Sequence, residues 1–220
     1  GNVDRSFLDF LNLSTTTKHL QVETDITYAD LRKSGWKSVA TLTNYAIDAL
    51  NNKMFNIIFN AISDGITSGA DNYLSESGNT VSQATMDAGA LYTNDRANGQ
   101  GICVALSKYI QQASKLTGFT SSSMIDEVHK NGVLGEYDAV KLMPISSAHK
   151  LGNGELSFPD KLMLFISGKI GELDTKGSIR VYETMDNNDE KTHIKITGFE
   201  FTYAFNKDSL ENVFKVVLSK

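Results

Sequence analysis

The chain has 220 residues, 40% hydrophobic and 21% charged, with two prolines and one cysteine, Cys103. That apolar share is too high for a disordered chain, and one cysteine excludes a disulfide scaffold or a cysteine-based zinc site. A net charge of −5 disfavours a sequence-specific nucleic-acid reader, because such proteins neutralise phosphates with a basic face.

No apolar run approaches the ~20 residues of a bilayer-spanning helix. The longest, Leu162-Met163-Leu164-Phe165-Ile166, is strand-sized. The N-terminus lacks the charged, then apolar, then small-residue order of a signal peptide. It begins Gly1-Asn2-Val3, so we expect that a cleavage or a cloning boundary removed residues upstream.

Leu20, Val22 and Ile26, with Thr24 and Thr27, predict extended structure, and Thr27-Tyr28-Ala29-Asp30 leads into a helical pattern. From Trp36, apolar residues at spacings of three and four (Val39, Ala46, Leu50, Met54, Ile57, Ile58 and Ile62) form one stripe with no interruption before Gly65. About 27 residues at ~1.5 Å each make a rod of roughly 40 Å. Mean helices are only about 11–12 residues, so this one is expected to be a spine.

Thr67 to Thr80 has loop chemistry, with Gly69, Asn72, Ser75, Gly78 and Asn79. Ser82 to Thr93 predicts a helix weakened by Gly89. Ile102 to Leu106 predicts a buried strand, and Ser107 caps a helix through Tyr109, Ile110 and Ala113 to Gly118. A short helix is expected from Ser123 to Val128. Val140 to Ile145 is a strand whose Pro144 belongs at an edge. Ala148 to Glu155, with Gly152-Asn153-Gly154, is a turn-rich loop before the strand Leu162 to Ser167. Ser178–Glu183 and His193–Thr197 alternate around Asp186-Asn187-Asn188-Asp189, which is a hairpin signal. Phe199, Phe201, Tyr203 and Phe205 give one strand an aromatic face. Asn206 to Phe214 is expected to be a helix before Val216-Val217-Leu218.

Catalytic motifs are missing. There is no phosphate loop, Gly99-Gln100-Gly101 precedes a strand instead of opening a helix after one, and no nucleophile elbow occurs. His19, His129, His149 and His193 are far apart, and none pairs with another at metal-binding spacing. Asp186 to Glu190 has an acidic start, but the sixth and twelfth positions of a calcium loop are Lys191 and Thr197 instead of glycine and glutamate. Cys103 fits a small core residue and Trp36 a core anchor. No catalytic, cofactor-binding or metal-binding residue is expected.

The order of elements resembles the major capsid proteins of tailed bacteriophages, whose Hong Kong 97-type fold encapsulin shells share. The resemblance is carried by Ile102-Cys103-Val104-Ala105-Leu106-Ser107 running into a helix. It is also carried by the turn and strand Asn131-Gly132-Val133-Leu134-Gly135-Glu136-Tyr137-Asp138-Ala139-Val140-Lys141-Leu142-Met143-Pro144. The family often has glycine where this chain has Ala139. Gln21 to Thr27 resembles the strand returning from the family's extended loop, and Phe199 to Phe205 the strand beside the spine helix.

The resemblance implies an α+β fold with the N-terminal arm and extended loop truncated. A peripheral domain would comprise residues 1–66 and 178–208, and an axial α/β domain residues 67–177 and 209–220. It implies a non-enzymatic shell subunit of a phage or prophage, made in the bacterial host cytoplasm and resident in the virion. Its partner would be itself, in pentamers and hexamers enclosing nucleic acid without sequence-specific binding, with no cofactor and no membrane. Lacking most of the arm and extended loop, the chain alone is expected to close shells weakly or not at all. The loop Ser146, Ser147, His149, Lys150, Gly152, Asn153 and Gly154 would project from the axial domain and contact neighbouring subunits around the symmetry axes. An encapsulin-like nanocompartment shell is the nearest alternative. A small-molecule-binding or enzymatic α+β domain is the alternative of another class, and a deep pocket holding several histidines would favour it.

Overall fold

Residues Trp36–Gly65 form one unbroken helix of 30 residues, α2, as the uninterrupted apolar stripe requires. The computed structural model describes residues 15–34, 36–97, 100–116, 135–151, 153–178, 180–186, 191–205 and 207–219. The helix expected from Ser123, the hairpin tip at 187–190, Gly118, Gly152, His129 and the side chains of Trp36 and His193 lie outside the described residues.

Ahead of α2 come β1 (Thr15–Thr27) and α1 (Tyr28–Ser34). β1 pairs antiparallel along nearly the whole of β9 (Lys191–Phe205), with a bulge between His19 and Gln21. On the other side of β9 lie β8 (Arg180–Asp186), toward its start, and β7 (Gly171–Lys176), toward its end. These four strands make the first sheet. Ala46, Leu50 and Met54, one turn apart on α2, bury against it with Leu20 and Phe201. Gly198 permits the close approach: a Cβ there would lie 2.7 Å from the Leu20 carbonyl oxygen and 3.1 Å from Leu50 Cδ1.

Among the described residues, the second sheet has six strands in the order β2-β10-β6-β3-β5-β4. These are β2 (Tyr73–Ser77), β3 (Gly101–Leu106), β4 (Glu136–Tyr137), β5 (Val140–Ile145), β6 (Leu162–Ile166) and β10 (Val213–Ser219). Every residue of β6 from Leu162 to Phe165 is buried, as expected of an apolar run in a sheet centre. Helix α3 (Gln83–Arg96) starts at Ser82, whose side chain accepts the Thr85 N–H. It lays Met86 and Ala90 into this core, and α4 (Ser107–Ala113) adds Tyr109, Ile110 and Ala113. The end of the spine, Ile62 and Ile66, belongs to the same core. Pro144 lies in β5 opposite Ala105 of β3; on the other side of β5, β4 pairs with Val140 and Lys141, and the Leu142 N–H donates to the Gly135 carbonyl at 2.9 Å.

The structure corrects four expectations. The Thr67–Thr80 loop contains β2, because its backbone finds a parallel partner in β10. Residues 171–176, assigned by sequence to the α/β part, form β7 and pair with β9 in the first sheet. The helix expected over Asn206–Phe214 is a single turn, α5 (Lys207–Leu210), because Val213 and Phe214 are drawn into β10 beside β6. Ser107 is the first residue of α4 and not its cap; its hydroxyl donates to the Ile145 carbonyl, and the helix stops at Ala113.

Candidate functional site

The segment between β5 and β6 carries the residues singled out for subunit contact. It folds as a hairpin: the Ser157 N–H donates to the His149 carbonyl at 2.9 Å and the Leu151 N–H to the Glu155 carbonyl at 2.7 Å. Lys150 faces Leu156 across an antiparallel bridge. Gly154, at φ +85°, turns the chain and donates its N–H to the Leu151 carbonyl. Ser146, Ser147, His149, Lys150, Asn153 and Gly154 are exposed, whereas Leu151 is buried.

The hairpin does not project freely, as its glycines suggest. Its backbone is held against the spine, where Asn52 Nδ2 donates to the Lys150 carbonyl at 3.3 Å and Asn56 Nδ2 to the Leu156 carbonyl at 3.4 Å. Leu151 and Ser157 are buried, and Leu156 packs against the core of the six-stranded sheet. Sequence reading missed these asparagines, although their spacing of four in a helix is a signal.

An open cavity of about 310 Å³ lies between hairpin, β1 and α2, lined by Leu20, Val22, Leu50, Lys53, Leu151 and Asn153 among others. A second, of about 280 Å³, lies at the C-terminal end of α2, with Asp71, Tyr92, Arg96 and Glu211 in its wall. Among the described residues, neither cavity has a histidine in its lining. His19 sits on β1, 3.8 Å from Glu200 on β9, far from the hairpin's His149 in the chain. Among the described residues, no group of three or more His, Cys, Asp or Glu could hold a metal ion.

The polar clusters tie elements together. Asp160 Oδ1 takes Lys108 Nζ at 2.6 Å, the Tyr109 hydroxyl at 2.9 Å and the Lys161 N–H at 2.9 Å. Burial acts to raise the pKa of Asp160, but the donors Lys108, Tyr109 and Lys161 outweigh it and hold the carboxyl below its ordinary value. Tyr137 donates to Asp87 Oδ1 at 2.6 Å; burial, then that carboxylate, pushes the phenol pKa up. Both tyrosines are buried and moor the rim of the six-stranded sheet. Burial also pushes the Cys103 thiol up, away from a reactive thiolate. Among the described residues, large apolar side chains stand exposed on several elements, with Tyr45 and Phe55 on α2, Leu91 on α3 and Met143 on β5. Side chains of this type supply contact area between proteins.

No protein-family model matches the chain. No curated protein matches it either. Solved structures do match in fold. The mature capsid of bacteriophage PhiM1 aligns with 100% of this chain and 90% of its own, at 12% identity and a TM-score of 0.57. A structure of Mycobacterium phage Bobi aligns over 94% of this chain and 74% of its own, at 8% identity and a TM-score of 0.61. The capsid of cyanophage P-SCSP1u covers the same shares at 8% identity and a TM-score of 0.59. With its long spine helix, its strand-rich first sheet and its mixed six-stranded second sheet, the chain has the α+β Hong Kong 97-type fold of tailed-phage capsid proteins.

Proposed function

We propose that the chain is a structural subunit of an icosahedral phage or prophage shell, which assembles with copies of itself and encloses the genome. The supporting observation is that the likeness to capsid structures runs through the whole chain, spine and both sheets together. Its work is then contact between copies rather than chemistry. The four-stranded sheet and most of α2 would form the peripheral domain, with residues 171–176 moved into it, and the six-stranded sheet would form the axial domain. The exposed side of the hairpin, Ser146, Ser147, His149, Lys150, Asn153 and Gly154, would meet neighbouring subunits. Assembly would take place in the host cytoplasm and end in the virion.

Particles banded by density from cells carrying the gene test this. The expected result is that this protein dominates their peptide mass spectrum and that the particles contain DNA. Shells of this protein filled with another protein and free of DNA would replace the phage shell with a nanocompartment. Its absence from all banded particles would overturn the proposal.

A further inference from the structure

Among the described residues, Asn153 is the one asparagine that a glycine follows. The pair stands exposed at the tip of the hairpin, where Gly154 turns the chain at φ +85°. Attack by the Gly154 amide nitrogen on the Asn153 side-chain carbonyl carbon, Cγ, closes a five-membered ring. Chain connectivity holds such partners at a high effective concentration. A Cβ on Gly154 would meet nothing within 4 Å, and glycine carries none, so no side chain screens that nitrogen.

Two further features favour the step at this asparagine. Its Oδ1 accepts the Glu155 N–H at 3.1 Å, which folds the side chain over the backbone and places a donor on the oxygen that gains charge under attack. Its side-chain nitrogen, the leaving group, donates to no group among the described residues. Other asparagines are held. Asn52, Asn56, Asn72, Asn94 and Asn212 each donate that nitrogen to a backbone carbonyl. Asn44, Asn51 and Asn60 lie inside α2, and Asn79 is followed by the branched Thr80.

The brake is the Gly154 N–H, which donates to the Leu151 carbonyl at 2.9 Å and must open before its proton leaves. That is one hydrogen bond at an exposed tip, where local opening costs little. The rest of the hairpin stays in place: Leu156 packs on the larger core, and the Phe158 ring meets Phe59 of the spine with 4.8 Å between ring centres.

We infer that Asn153 is a site of spontaneous deamidation. A solvent base takes the Gly154 amide proton, and the nitrogen bonds to Cγ. The bond from Cγ to the side-chain nitrogen breaks, and that nitrogen takes a proton from water and leaves as ammonia. Water then opens the cyclic imide. Cleavage between the ring nitrogen and Cγ leaves aspartate; cleavage between that nitrogen and the main-chain carbonyl carbon leaves isoaspartate. Nothing is oxidised or reduced. Either product adds one negative charge to a chain of net charge −5, in the wall of the cavity that Lys53 also lines. Aspartate keeps an acceptor for the Glu155 N–H, whereas isoaspartate lengthens the backbone within the turn. The change needs one chain and no partner, so it does not depend on the shell proposed above.

The purified chain, kept warm at neutral and mildly alkaline pH and sampled over weeks, tests this by peptide mapping with mass spectrometry. Asn153 is expected to convert first among the described asparagines, giving both aspartate and isoaspartate. Conversion should quicken about tenfold per pH unit, since the reacting amide is the one that has lost its proton. Asn98-Gly99 and Asn131-Gly132, outside the described residues, lie in other tryptic peptides and are read separately. Asn153→Gln, whose longer side chain would have to close a six-membered ring, should keep its amide over the same period. An Asn153 still intact when another described asparagine has converted, or aspartate formed without isoaspartate, overturns the inference. The measurement is made on single chains, so failure here leaves the shell proposal standing, and failure to find particles leaves the deamidation site standing.

Discussion

The ammonium of Lys215, on β10, donates to the Ser63 carbonyl at 2.6 Å and to the Ile66 carbonyl at 3.1 Å, capping the end of the spine helix from a neighbouring sheet. The helix has no basic residue in its own last turn, so this cation is what faces the negative end of its dipole. Tyr73 adds its ring, whose centre lies 5.5 Å from the ammonium. Burial pulls the lysine's pKa below its ordinary value, with Asp64 acting against it. Lys215→Met removes the donors and keeps the stem. We expect a loss of about 1–2 kcal/mol, from a cap and its dipole contact. Urea unfolding should show a lower midpoint with the same slope.

Gly89 lies within α3, where alanine ordinarily gains about 1 kcal/mol. Here a Cβ would meet the buried Phe165 ring at 2.5 Å. Overpacking of a core costs about 1–3 kcal/mol, which reverses the sign. Gly89→Ala should therefore lower the melting temperature. In a Phe165→Leu background the same change should become neutral or stabilising, and a double-mutant cycle measures the difference.

The two-residue turn between β4 and β5 has φ of +46° at Asp138 and +62° at Ala139. Such turns favour Asp-Gly or Asn-Gly, because residues with a Cβ strain at positive φ. Ala139→Gly should raise stability by about 1 kcal/mol. A rise in melting temperature with an unchanged circular dichroism spectrum checks it. An unchanged or lower melting temperature would contradict it.

Asp160 is held below its ordinary pKa of 3.8 in the folded chain. Its stabilisation is therefore complete above the unfolded value and is lost as pH falls through the depressed folded value. The Lys108 and Asp160 side chains are about half exposed, so the ion pair contributes under about 1 kcal/mol. Asp160→Asn should leave the alkaline side of the stability profile nearly parallel to the parent's and flatten the acid limb. Chemical denaturation at a series of pH values reads both.

The spine was legible in the sequence because its signal is local: apolar residues at helical spacing with nothing to break them. β3, β5, β6 and the β8–β9 pair were legible for the same reason, each being a run of apolar or alternating residues. β2 and β7 were not. Tyr73–Ser77 and Gly171–Lys176 are short and polar, and they are strands because of partners far away in the chain, at Lys215–Ser219 and Glu200–Phe205. Val213 and Phe214 fit a helix or a strand equally well, and only β6 beside them decides. The hairpin's glycines announced a turn, but its attachment to the spine depends on two side-chain amides reaching backbone carbonyls; their spacing of four marks one helix face without naming what that face meets.

The place of β10 in its sheet bears on how the protein is made. It lies between β2 and β6, so β2 gains its strand partner, and β6 its second neighbour, only after Val213–Ser219 have left the ribosome. Until then the apolar segment Leu162–Ile166 presents an open edge, the kind of template on which nascent chains associate wrongly. Pairings this distant along the chain also form slowly. The six-stranded sheet is therefore completed after translation of its last strand, while the spine and β1, synthesised first, wait as well for β9. Overproduction at low temperature or with added chaperones should raise the soluble yield for this reason.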